Sequence, residues 1–180
     1  MKTYPSSLEL VRLAPEHEGD RETALQYGAQ LAEILNTDEG LPLGIRRQAD
    51  APPETAENIL SFAKEWCREK NALFFAVVLD GDVVAGSISL SHIDAETLSA
   101  RTGYFLASKY QGRGYGEEAL SQLLEIARHH ALRTVSGSIP KANIASRKIW
   151  ERCGATVDFS GDEVTAVLGD DDVMHLRHKQ

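Results

Sequence analysis

Gln111-Gly112-Arg113-Gly114-Tyr115-Gly116 stands between an apolar run, Tyr104-Phe105-Leu106, and a helical pattern from Glu117 to His130. A strand that ends in a glycine-rich turn and passes into a helix is suited to hold phosphate. Glycine reaches φ > 0 without a Cβ penalty and lets the backbone come close to a ligand. The first turn of the helix leaves N–H groups without intrahelical partners, and the helix dipole draws an anion to them. The stretch therefore predicts a bound phosphate or pyrophosphate at residues 111–116. Six residues are a short motif, so the elements around it decide its meaning.

Upstream, Leu8 to Leu13 alternates and predicts a first strand, stopped by Pro15. A helical pattern from Gly19 to Leu35 puts Ala24, Gly28, Leu31 and Leu35 on one face. Residues 36–53 read as loop, punctuated by Pro42, Gly44, Pro52 and Pro53. A second helix is expected from near Pro53, a residue suited to a first helical turn, with the stripe Ala56, Ile59, Leu60, Ala63, Trp66 and Cys67. Leu73 to Leu79 predicts a buried strand. Asp80-Gly81 or Gly81-Asp82 then predicts a tight hairpin. Its partner, Val83 to Leu90, is expected to carry Val84, Gly86, Ile88 and Leu90 on one side.

A further strand is expected over Ser99 to Ala107, just before the glycine loop. The helix after the loop is expected to bury Leu120, Leu123, Leu124, Ala127 and Ala131. Thr134 to Ile139 alternates as a strand. Asn143 is a good cap for a short helix that ends at Gly154, a good residue just past a helix end. Two last strands are expected around Ala155–Phe159 and Val173–Arg177. The order β-α-α-β-β-β-α-β-α-β-β contains a strand-helix-strand crossover at residues 99–139. That crossover implies a parallel pair inside an otherwise antiparallel sheet. The fold class is α/β: a central mixed sheet of about six to seven strands with helices on both faces. With no repeat, low-complexity segment or linker, residues 1–180 read as a single domain.

Composition narrows the function classes. The apolar share of 42% and charged share of 26% are ordinary for a globular protein. A net charge of −8 argues against a nucleic-acid binder, and it is compatible with a cationic substrate. No apolar run approaches the ~20 residues of a membrane span. Met1-Lys2-Thr3-Tyr4-Pro5 has no apolar leader core, so a cytoplasmic location is expected. Cys67 and Cys153, both in helical patterns, are expected to be reduced thiols.

Two stretches together resemble the GNAT superfamily of acyl-CoA-dependent N-acyltransferases. Gly103 to Gly116 looks like that family's Q/R-x-x-G-x-G/A cofactor signature on its strand and helix. Asn143-Ile144-Ala145-Ser146-Arg147-Lys148-Ile149-Trp150-Glu151-Arg152-Cys153-Gly154-Ala155 looks like its N-x-x-S-x-x-φ-(Y)-x-x-x-G-(F) closing helix. One strand separates them, as in the family, and the element order from Leu8 onward agrees. The Ala100 to Tyr104 strand is similar to the branch that contains ribosomal-protein N-terminal acetyltransferases.

The resemblance implies acetyl-CoA as cosubstrate, with no metal, and a V-shaped opening at the parallel strand pair for the pantetheine arm. It implies that the backbone of Tyr104, Phe105 and Leu106 bonds that arm, and that Gln111, Gly112, Arg113, Gly114, Tyr115 and Gly116 wrap the pyrophosphate. Asn143 would meet the pantetheine. Lys109, Arg113 or Lys148 could pair with phosphate oxygens, although exposed cations are commonly just solvated. The reaction implied is direct attack of a primary amine, on a small molecule or a peptide N-terminus, in a ternary complex. That amine must first be neutral, although a lysine-like amine has a pKa of ~10.4. By family position the N–H of Leu106 is the oxyanion donor.

The chain departs from the family at both proton-transfer positions. Trp150 stands where the closing helix usually carries a tyrosine acid, and an indole N–H is no proton source. Ser146, one turn earlier, could hold the thiol, and it could equally cap the helix. Tyr110 and Tyr115 are further candidates for the acid. Where many relatives have a glutamate, this chain has Ser99-Ala100-Arg101. Among His92, Asp94 and Glu96, His92 is the best chemical match for the base. Glu33, Asp38 and Glu39 could bind a cationic substrate.

These departures leave a second reading, a non-catalytic acyl-CoA-binding or regulatory module. A third, another nucleotide-binding α/β domain, lacks the Lys-Ser/Thr of a P-loop. No Cys/His spacing suggests zinc, and the carboxylate run Asp170-Asp171-Asp172 lacks calcium-loop spacing. An exposed edge strand in the tail could pair two chains as a homodimer.

Overall fold

The computed structural model describes residues 7–14, 20–157 and 161–168. In chain order the elements are β1 (Leu8–Arg12), α1 (Arg21–Thr37), α2 (Ala56–Glu69), β2 (Leu73–Leu79), β3 (Val83–Asp94), β4 (Ser99–Leu106), α3 (Tyr115–His129), β5 (Thr134–Ser138), α4 (Ile144–Arg152), β6 (Thr156–Val157) and β7 (Glu163–Val167). They form one seven-stranded sheet in the order β1-β2-β3-β4-β5-β7-β6. Every pair is antiparallel except β4–β5, the pair that the crossover through α3 makes parallel. The mixed α/β architecture is as the sequence predicts.

Local chemistry accounts for the boundaries. Asp80 and Gly81 take φ of 51° and 83°, and the Asp82 N–H closes the turn onto the Leu79 carbonyl. This is the hairpin geometry that Asp-Gly favours. Helix α2 begins at Ala56 and not near Pro53. Thr55 takes the cap position, and its hydroxyl accepts from the Asn58 N–H. Helix α3 begins at Tyr115, two residues before the expected start, so Gly116 lies inside its first turn. Ala131 follows that helix at φ 57° and is exposed; Leu132 is buried in its place.

The two faces of the sheet carry separate cores. Toward α3 and α4, Ile88, Leu90, Leu106, Leu120, Leu123, Val135 and Trp150 pack together. Toward α1 and α2, Leu13, Tyr27, Leu31, Ile59, Ala63, Ala76, Val78 and Val84 pack together. Burial of each large aliphatic side chain contributes roughly 1.5–3 kcal/mol. Val84 is therefore on the opposite face from Ile88 and Leu90, contrary to the simple alternation expected for β3. The register supplies the reason: Val77 pairs with Gly86 and Val78 with Val84, so Ala85 is an extra residue in a β-bulge. One inserted residue reverses which side the next residues face.

The chain's last described strand is Glu163–Val167, which the sequence reading did not foresee. It lies between β5 and the two-residue β6. The strand expected at Val173–Arg177 lies outside the described residues. Among the described residues, no helix is long and apolar enough to cross a membrane.

Candidate active site

Strands β4 and β5 pair over Ser99–Arg101 and Thr134–Ser136 only. Beyond Arg101 the two strands part, although β4 continues to Leu106. Its other edge stays paired with β3 from Arg101 to Leu106. The Ala107 N–H donates to Ala85, and antiparallel alternation then turns the backbone of Phe105 and Gly103 toward β3. Tyr104 and Leu106 are thus the residues whose backbone faces the widening gap. The expected backbone role of Phe105 does not fit this register. Its amide belongs to the β3 ladder, while its side chain packs with the α1/α2 core.

The glycine loop closes the wide end of the gap. A 3-10 turn, Ser108–Tyr110, leads into it. The Gln111 side-chain amide donates to the Leu106 carbonyl at 3.0 Å, fastening the loop to the end of β4. Gly112 and Gly114 sit at φ 69° and 89°, where an L side chain is strained, and Gly114 is the N-cap of α3. A Cβ on either would meet nothing within 4 Å, so these two positions need glycine for conformation and open access. Gly116 differs: a Cβ there would lie 2.9 Å from Ile149 Cδ1, so it allows α3 to approach α4. Arg113 is exposed in the loop, Tyr115 stacks edge-on against Tyr110, and Lys109 lies 5.0 Å from the Tyr110 ring centroid.

Helix α4 forms the other wall. Asn143 caps it, its side-chain oxygen accepting from the Ser146 N–H at 3.1 Å. The Ser146 hydroxyl is not used in the cap; it lies 2.6 Å from the Tyr104 hydroxyl on β4. Burial pushes the Tyr104 phenol above its ordinary pKa, with the Ser146 hydrogen bond working against that rise. One turn further, Trp150 is 1% exposed and packs against β5: a Cβ on Gly137 would lie 2.9 Å from its ring. The same Cβ would be 3.3 Å from the Thr102 carbonyl, so Trp150 wedges the vertex where the strands part. Trp150 Nε1 and Thr102 Oγ1 are buried there without hydrogen-bond partners among the described residues. Arg147, also buried, donates to the carbonyls of Ile139 and Gly161 and so fixes the start of α4 to the neighbouring loops.

The opposite face of β4 is polar and partly open. Ser87, Ser89 and Ser91 of β3 are buried there. On β4, Gly103 has open space where a Cβ would stand. Arg101 forks onto Glu163 of β7 at 3.0 and 3.4 Å and reaches the Ser136 hydroxyl at 3.3 Å.

His92 is not brought to the gap. It is at the far end of β3, roughly 20 Å from the residue opposite Leu106 at the ~3.3 Å rise of a strand. There it is exposed, at φ 51°, with Nδ1 beside the Ser91 hydroxyl and its ring edge-on to Trp66. Glu33 and Asp38 line an open cleft of about 370 Å³ with Gln30, Thr37, Ser108 and Lys109. Asp38 is already committed within that cleft: its carboxylate accepts from the Ser108 N–H, the Ser108 hydroxyl and the Gly40 N–H. Desolvation would raise its pKa, but those hydrogen bonds outweigh it and hold the carboxyl below the usual range.

Sequence reasoning missed Tyr104 as a side chain in the site, and it missed the Asp38–Ser108 link. Both join residues far apart in the chain. The fork from Arg101 to Glu163 was equally out of reach, because β7 itself was unforeseen.

A model of the acetyltransferase (GNAT) domain matches residues 13–156. No curated protein matches the sequence. Among solved structures, a microcin C7 self immunity acetyltransferase in complex with acetyl-CoA and AMP is 17% identical, with a TM-score of 0.66 over 91% of this chain and 93% of that one. A ribosomal L7/L12 alpha-N-protein acetyltransferase in complex with coenzyme A is 18% identical, with a TM-score of 0.61 over 91% and 95%. A spermidine N-acetyltransferase from Vibrio cholerae in complex with CoA and spermine is 15% identical, with a TM-score of 0.59 over 90% and 96%. At such identities the likeness is one of fold.

Proposed function

The chain belongs to the acetyltransferase (GNAT) domain family and is an acyltransferase, and on that premise we propose that it moves an acetyl group from acetyl-CoA to a primary amine. The amine is on a small molecule or a peptide N-terminus and attacks the thioester directly in a ternary complex. Residues 1–180 act as one such domain, in the cytoplasm. The observation that carries this reading is the parting of β4 from β5 beyond Arg101, with the glycine loop and the α3 N-terminus at its open end.

An extended pantetheine arm satisfies the backbone groups of Tyr104 and Leu106 in the gap as an added strand would. The N–H groups around Gly112, Gly114 and the first turn of α3 receive the pyrophosphate. The Leu106 N–H is the oxyanion donor, and the Ser146 hydroxyl holds the departing sulfur. The amine approaches from the face that carries Gly103 and Arg101. A histidine as remote as His92 has no part in this arrangement. The resemblance to the ribosomal-protein branch finds support in the fold likeness to an alpha-N-protein acetyltransferase.

Calorimetry with acetyl-CoA and with free CoA tests the donor assignment. The wild type is expected to bind both at micromolar concentrations. Gly114→Val is expected to bind each about tenfold or more weakly, because valine at φ 89° costs at least the ~1–2 kcal/mol of a left-handed residue. Equal affinity in a folded variant would remove the pyrophosphate from this loop.

A further inference from the structure

We propose that the phenol missing from the closing helix is replaced from strand β4: Tyr104 supplies a proton through the Ser146 hydroxyl to the sulfur of CoA as it departs. This inference rests on the donor reading above and goes beyond it.

The argument begins with what each side chain can do. A serine hydroxyl alone is a poor acid, but it can accept one proton while it gives another. Trp150, where a tyrosine is usual, offers only an indole N–H and is turned into the vertex against Gly137. Tyr104 is on the face of β4 that looks toward α4, in the same apolar layer as Leu106, Ile149 and Cys153. Its hydroxyl is 2.6 Å from Ser146, a short O–H···O contact across the gap. Each hydroxyl is therefore already aligned with the other. Ser146 keeps a second direction free, since its helix-capping contact uses its backbone N–H and not its side chain.

The step balances. The amine nitrogen bonds to the carbonyl carbon, and the carbon–sulfur bond breaks with its electrons on sulfur. Sulfur takes the Ser146 proton and Ser146 takes the Tyr104 proton. The tyrosinate recovers one from solvent, into which the new amide nitrogen has released its own. The protonated phenol is the resting form at neutral pH, since burial raises Tyr104. Cys153 on α4 adds to that rise, and is itself pushed up to about 11 by burial and by Glu117 and Glu118 on α3.

The test uses bound CoA and needs no acceptor. Thiolate absorbance of the full-length protein with CoA is titrated against pH, with the desulfo-CoA complex as the blank. A donor hydrogen bond stabilises the thiolate, so the bound thiol should ionise lower in the wild type. Tyr104→Phe and Ser146→Ala should each raise its midpoint by about one pH unit, and the double variant by no more than one of them alone. Affinity for desulfo-CoA is measured for each variant alongside, so that each midpoint is read from a complex shown to form. An unchanged midpoint in Tyr104→Phe that still binds CoA overturns the relay and leaves the donor reading intact. If that variant does not fold, an unchanged midpoint in Ser146→Ala overturns it as well. Absence of CoA binding by the wild type overturns the donor reading, and the relay with it.

Discussion

The two faces of strand β4 are built on opposite plans. Toward α3 and α4, Ala100, Tyr104 and Leu106 meet a dense apolar layer that ends in Trp150. Toward α1 and α2, Arg101, Gly103 and Phe105 alternate charge, open space and an apolar ring, beside the buried Ser87, Ser89 and Ser91. The first face has to hold a gap open, so it needs rigid filling. The second, on the proposed reading, admits the amine, and polar groups and room suit that role. One strand serves both because successive residues point to opposite sides.

The plainest way to break this contrast is to remove the wedge. Trp150→Ala should cost about 3–5 kcal/mol in urea unfolding, as large aromatic deletions from packed cores do. Its effect on the gap should exceed any change on the other face, because the ring stands directly against Gly137 of β5. A loss below about 1 kcal/mol would mean that the vertex is loosely packed, and the contrast would fail there.

A smaller effect tests whether the two sides are tied together. Asp38, at the end of α1, holds Ser108 at the entrance of the glycine loop. Asp38→Asn should cost about 1 kcal/mol or less, since the site is partly exposed. The pH dependence has a definite sign. The folded carboxyl is held below its ordinary value, so its contribution is present above about pH 4 and is lost as pH falls through the depressed value. The stability difference between wild type and Asp38→Asn should therefore shrink below about pH 4. A difference that persists undiminished at lower pH would mean that the charge is not what fastens the loop.

The same contrast explains what the sequence could reveal. The glycine loop and the start of α4 were legible as local structure because backbone conformation shapes them, and backbone demands leave marks on sequence. Positive φ at Gly112 and Gly114 requires glycine, and the cap of α4 requires a residue like Asn143. The parallel pair was legible because only a crossover can join such strands. Side-chain geometry left no such mark. Tyr104 reads as one more apolar strand residue until β4 and α4 are set against each other. Asp38 reads as a free carboxylate until a loop seventy residues away reaches it. Nothing in Val83-Val84-Ala85-Gly86 says which residue is the extra one, so the face of Val84 was assigned wrongly. His92 was chosen for its chemistry alone, and the length of β3 removes it from the gap. Strand β7 is the exception: Glu163-Val164-Thr165-Ala166-Val167 alternates plainly and was open to discovery.

The smallest expected effect is the sharpest test of the open face. Gly103 and Gly137 stand on neighbouring strands, yet a Cβ on each has a different fate. At Gly137 it would press on Trp150 at 2.9 Å; at Gly103 it would meet nothing within 4 Å. Gly103→Ala should therefore leave stability unchanged or raise it by about 0.5 kcal/mol, because alanine lowers the entropy of the unfolded chain at a position it can occupy without strain. Gly137→Ala should lower stability, since the rigid indole leaves the added methyl little room. Affinity for acetyl-CoA should be untouched in Gly103→Ala, whose methyl points away from the α3/α4 face. Turnover of any amine substrate should fall, because the methyl enters the space assigned to the acceptor. Measured loss of stability above about 1 kcal/mol in Gly103→Ala would mean that this face is covered. The amine would then have to enter elsewhere.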